Sequence, residues 1–116
     1  MKKVFYLKTC STNKRIMSAF DLTDWEQREI KSQPITKEEL AQMHKLSHSY
    51  EALFSKKSTQ IKARGLDVKS LTEKDYEALL LEHYSFLKRP VFMTDQEIFI
   101  GSEKENLQKL EDYFGM

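Results

Sequence analysis

The sequence predicts an α/β domain, a four-stranded mixed sheet flanked by helices with a helical insertion between strands 2 and 3. Three observations predict it. Val4-Phe5-Tyr6-Leu7 is a short apolar, aromatic run that reads as a buried strand, and it gives way to the polar, cap-rich segment Lys8-Thr9-Cys10-Ser11-Thr12-Asn13. Near the other end, Val91-Phe92-Met93 and Ile98-Phe99-Ile100 flank Thr94-Asp95-Gln96-Glu97 as the arms and turn of a β-hairpin. Between these, residues from about 35 to 88 carry helical spacing and helix-start signals.

Taken in order, a helix should follow the first strand, because Ile16, Met17 and Phe20 recur at helical spacing. Trp25 to Lys31 alternates weakly and suggests a second strand. Pro34 breaks that pattern, and Thr36 with Glu39 forms a capping box for a helix carrying Leu40, Met43 and Leu46. Tyr50, Leu53 and Phe54 suggest a short helix, and Gly65 a helix stop after Ile61 and Ala63. Thr72 opens the clearest helix, with Tyr76, Leu79, Leu80 and His83 on one face. After the hairpin and Gly101, Ser102 with Glu105 reads as a second capping box, opening a last helix that carries Leu107, Leu110 and Phe114. A strand–helix–strand unit followed by a hairpin can form such a mixed sheet with its first strand buried in the middle.

Composition narrows the function classes. A chain of 116 residues can bury a core as a single domain, here 1–116, without staples. A net charge of +1 gives no reason to expect a direct nucleic-acid footprint. The lone cysteine excludes an internal disulfide and fits a reducing compartment. The apolar stretch after Lys2-Lys3 is too short for a signal peptide, and runs such as Ala78–Leu81 are too short to span a bilayer. A cytoplasmic protein with no membrane attachment is expected.

Cys10 is the candidate reactive group. It sits where the first strand turns into a helix, at the carboxyl end of the strand, where α/β sheets place their sites. Unpaired N–H groups at a helix start favour a thiolate and can also hold an oxyanion, so Ser11, Thr12 and Asn13 are candidate anion-binding residues. Lys8, Lys14 and Arg15 add positive charge nearby in sequence. A phosphatase-type phosphate loop needs its arginine one residue after Arg15, where Ile16 stands, and a Cys-x-x-Cys pair is absent because Asn13 holds the second position.

FYLKTCSTNKRIM and LLLEHYSFLKRPVFMTDQEIFIGSEKENLQKL resemble the arsenate reductase (ArsC)-like family, which also contains the Spx-type regulators. The resemblance runs over nearly the whole chain and implies a thioredoxin-like fold. It implies that Cys10 is the redox nucleophile and Arg89 the arginine contacting the oxyanion and the cysteine adduct. Pro90 matches a structural cis-proline. The family's second anion-binding arginine aligns with Lys57, with Lys56 a register slip away. Tyr6 stands where well-characterised reductases have an activating histidine, and Ser11 where a glycine is common.

The resemblance implies a single-cysteine, thiol-dependent oxidoreductase with no tightly bound cofactor. Glutathione would be its co-substrate and glutaredoxin its partner. The substrate would be a small oxyanion such as arsenate, or a mixed disulfide. The alternative is an Spx-like regulator or interaction domain that binds RNA polymerase. His44 and His48 share a helix face but have no third ligand near in sequence, so a solvated pair is expected rather than a metal site. Lys56, Lys57, Lys62 and Arg64 read as a solvated basic face that could steer anions.

Overall fold

The computed structural model describes residues 1–115. Its contacts divide into two compact units, one formed by Met1–Gln33 with the segment from Arg89 onward, the other by Pro34–Lys88.

The first unit holds the sheet. Its strands are β1 (Lys2–Tyr6), β2 (Glu26–Glu29), β3 (Val91–Thr94) and β4 (Ile98–Ile100), in the order β2-β1-β3-β4. β1 runs parallel to β2, and β1–β3 and β3–β4 are antiparallel. The mixed, thioredoxin-like sheet is therefore the one expected, with β1 and β3 inside: Val4, Phe5, Val91 and Phe92 are fully buried. The polar strand β2 lies at an edge, where charged side chains discourage pairing with another chain. In the hairpin turn, Thr94 Oγ1 accepts the N–H groups of Gln96 and Glu97 at 3.2 and 2.9 Å.

Helices α1 (Ser11–Ser18) and α5 (Lys104–Phe114) supply Ile16 and Leu110 to a core with Val4, Trp25, Phe92 and Phe99. Aromatic rings fill it. Phe92 packs edge-to-face with Phe20 and Trp25 at centroid distances of 6.0 and 5.5 Å, and Phe20 stacks on Phe114 at 4.6 Å. Phe20 does this from beyond the end of α1, held by its N–H bond to the Met17 carbonyl.

The second unit contains α2 (Lys37–Ser47), α3 (Thr59–Ala63) and α4 (Glu73–Glu82). Both threonine caps form as read from the sequence. Thr36 Oγ1 accepts the Glu39 N–H and Glu39 returns a carboxylate to the Thr36 N–H, each at 3.0 Å; Thr72 and Asp75 repeat the arrangement. Gly65 follows α3 with φ +63°, a conformation an L side chain resists. The unit is closed by an antiparallel bridge between Phe54 and Leu87, whose flanks bond Ser55 N–H to Phe86 and Lys88 N–H to Leu53. Leu40, Met43, Phe54, Tyr76, Leu80 and Phe86 are buried here.

Two local expectations are corrected. The Ser102–Glu105 capping box does not form: the N-cap of α5 is Glu103, without a side-chain cap bond, so Glu105 falls one place too early to reach back. Gly101, at φ +87°, sets that start; its N–H bonds Pro90 and its carbonyl accepts from buried Asn106, each at 2.8 Å. His83 lies just past α4 in extended backbone, where its Nδ1 accepts the Ser85 N–H at 3.1 Å.

Replacing Phe92 with Ala should destabilise the fold by about 3–5 kcal/mol, the usual cost of deleting a buried aromatic ring. Gln27→Ala on the exposed edge strand should stay within ~0.5 kcal/mol. Denaturant unfolding of the two variants checks both figures.

Candidate functional site: the Cys10 turn

The chain leaves β1 at Tyr6 and makes a tight turn, Leu7-Lys8-Thr9-Cys10, closed by the Cys10 N–H bonding the Leu7 carbonyl at 3.1 Å. Cys10 is the N-cap of α1, with extended backbone (φ −90°, ψ 112°), and its carbonyl accepts the Lys14 N–H at 3.2 Å. Cys10 is half-buried, and its side chain makes no capping bond. An α-helix leaves its first N–H groups without intrahelical acceptors, and in α1 these are the amides of Ser11, Thr12 and Asn13, directly after Cys10 in the chain. The turn joins a half-buried cysteine to a helix start that favours negative charge.

The side chains of these residues do different things. Ser11 is exposed and Thr12 half-buried. Asn13, at 1% exposure, turns inward instead, and its Oδ1 accepts the Leu7 N–H at 2.8 Å. As a side chain it fastens the turn; what it can offer an anion is its backbone N–H.

Arg89 and Pro90 belong to the same unit. The β1–β3 register pairs Phe5 with Val91, so the carboxyl end of β1, which leads to Cys10, and the start of β3, which Arg89-Pro90 precedes, lie at the same end of the sheet. Arg89 is half-buried, the Arg89–Pro90 peptide bond is cis, and the Pro90 carbonyl accepts the Gly101 N–H. The topology thus brings Cys10, Arg89 and Pro90 to one end of the sheet. Lys57 lies in the other unit, exposed in the turn before α3, where its N–H bonds Ser55 Oγ at 3.4 Å. Its neighbour Lys56 pairs with Glu51 at 2.8 Å, which leaves Lys57 as the less engaged of the two. His44 stacks on the Tyr50 ring at 4.1 Å.

Sequence reasoning missed Glu29, the last residue of β2. Its Oε2 accepts the Lys8 N–H at 2.9 Å, and its Oε1 accepts the N–H and hydroxyl of Ser32 at 2.8 and 2.7 Å. The Lys8 bond does most to pull the Glu29 carboxyl down to about 2 from an ordinary 4.5, with the Ser32 and Lys31 bonds adding to it against the opposing effect of burial. A carboxyl lowered by folding stabilises the fold fully above its unfolded value and loses that contribution as pH falls through the folded one. The stability advantage of the native protein over Glu29→Gln should therefore be constant near neutral pH and shrink between pH 4.5 and about 2, as read from denaturation midpoints.

Comparison with known proteins bears on what this arrangement belongs to. No curated protein matches the chain. Solved structures share its fold over nearly their full lengths. An ArsC family related protein from Bacteroides fragilis is 24% identical, with a TM-score of 0.75 over 94% of this chain and 96% of that one. The arsenate reductase from Vibrio cholerae is 16% identical, with a TM-score of 0.74 over 95% of each chain. An arsenate reductase (ArsC) related protein from Brucella melitensis is 22% identical, with a TM-score of 0.68 over 99% of this chain and 95% of that one. Residues 5–110 match the ArsC family itself, a span that includes the Cys10 turn, Arg89-Pro90 and most of α5, and the chain belongs to that family.

Proposed function

We propose that the protein is a single-cysteine thiol oxidoreductase that works with glutathione and glutaredoxin in a reducing cytoplasm, on an arsenate-like oxyanion or a mixed disulfide. The observation that carries this reading is the half-buried Cys10 at the N-cap of α1, whose side chain makes no hydrogen bond to the helix's first amides.

With an oxyanion, the Cys10 thiolate attacks arsenic(V), forming an S–As bond as one oxygen leaves as water. A glutathione thiolate then attacks the Cys10 sulfur; the S–As electron pair stays with arsenic, arsenite departs, and Cys10 is left bonded to glutathione. With a glutathione mixed disulfide, the thiolate attacks the glutathione sulfur, expels the other thiolate and reaches the same state. A further glutathione thiol, delivered through glutaredoxin, attacks that adduct, releasing the Cys10 thiolate and oxidised glutathione. The external thiol is needed because Asn13 holds the place of a second cysteine and is itself engaged with Leu7. Arg89 would neutralise the bound anion with a planar fork that matches oxyanion geometry. No tightly bound cofactor is required.

Cys10→Ser should abolish glutathione-dependent turnover of arsenate and of a mixed disulfide; turnover surviving the change sinks the reading. Arg89→Ala should lower kcat/KM for arsenate about 10- to 100-fold, the loss of a charge-assisted hydrogen bond, with partial recovery in Arg89→Lys. Steady-state kinetics on the three variants provides the check.

A further inference from the structure

The geometry points to Glu29 as the positioning residue for the Cys10 thiol: its carboxylate holds the Leu7–Cys10 turn that carries Cys10 to the start of α1. The inference rests on the thiol reading of Cys10 and adds a group that touches neither substrate nor sulfur. One carboxylate grips two loops at once, the thiol turn through Lys8 N–H and the turn leaving β2 through Ser32. It can do so because β2 lies alongside β1, with Glu29 in register with Tyr6, and the Ile30 N–H bonding the Tyr6 carbonyl at 3.0 Å locks the two strand ends together. Asn13 takes the neighbouring amide, Leu7 N–H, so successive amides of the turn are held from β2 and from α1.

The chemistry of the side chain is specific. Glutamine has one acceptor oxygen; its NH₂ would face either the Lys8 or the Ser32 donors, so one grip is lost. Aspartate keeps the charge but is a methylene shorter and cannot span both loops. A turn freed at Lys8 makes the sulfur easier to reach and harder to aim, and small misplacements of a reacting group cost turnover steeply.

The test compares Glu29→Gln and Glu29→Asp with the native protein at neutral pH, using three readouts. Amide hydrogen exchange should quicken roughly tenfold or more at Lys8 and Cys10, while core amides such as Phe92 are unchanged. Cys10 should react several-fold faster with iodoacetamide in both variants, yet kcat with glutathione and arsenate, per folded molecule, should fall roughly tenfold or more. Unchanged exchange at Lys8 and Cys10 would overturn the inference. So would faster alkylation in Glu29→Gln alone, which marks an effect of charge rather than position. Should the native protein show no turnover, the proposed function fails, while exchange and alkylation still decide the role of Glu29.

Discussion

The antiparallel pairing of β1 with β3 is the constraint on which the rest of the site depends. Strands far apart in the chain meet with Phe5 opposite Val91, so the carboxyl end of β1 and the entry to β3 share one end of the sheet. The Cys10 turn leaves from one and Arg89-Pro90 enters the other. Burial holds the pairing in place: Val4 and Phe92 lie opposite each other in the pairing and are fully buried in the same core. A substitution that loosens Phe92 would therefore disturb the site without touching it.

On this frame the turn is fixed by directed hydrogen bonds more than by packing. Asn13, Glu29 and the Leu7 carbonyl each take an amide of the turn. On the cis-proline side the Gly101 N–H donates to the Pro90 carbonyl and the Asn106 side-chain amide donates to the Gly101 carbonyl, which ties Pro90 to the link between β4 and α5. The side chains that hold the turn are thus spread over α1 and β2, while Cys10 itself spends no hydrogen bond on capping its helix. That leaves the first amides of α1 for a ligand, which is the feature a thiol acting on anions would need.

Much of the frame was legible because it is written in local pattern. The run Val4–Leu7, the hairpin around Thr94–Glu97 and the Thr36 and Thr72 caps are signals a few residues long, and all of them form. Ser102 with Glu105 carries the same local pattern as Thr36 with Glu39, yet Gly101 and its bonds to Pro90 and Asn106 move the helix start by one residue; a tertiary constraint overrode a local one. The Cys10 position could be read from the strand-to-helix junction, and the match of residues 5–110 to the ArsC family agrees with the resemblance seen in its motifs. Glu29 could not be read, because nothing in Glu26–Glu29 signals a bond to Lys8, 21 residues away in sequence. Asn13 was readable as a polar residue at a helix start, but its inward turn depends on where Leu7 lies.

The most direct test of the account is the covalent state of Cys10 during reaction. Intact-protein and peptide mass spectrometry should be run after incubation with glutathione and arsenate, or with a glutathione mixed disulfide, with glutaredoxin withheld. The account predicts a glutathionyl group on Cys10 that accumulates only when a substrate is present and disappears when glutaredoxin is added. Arsenite formation, or reduction of the disulfide, without any adduct on Cys10 would contradict it.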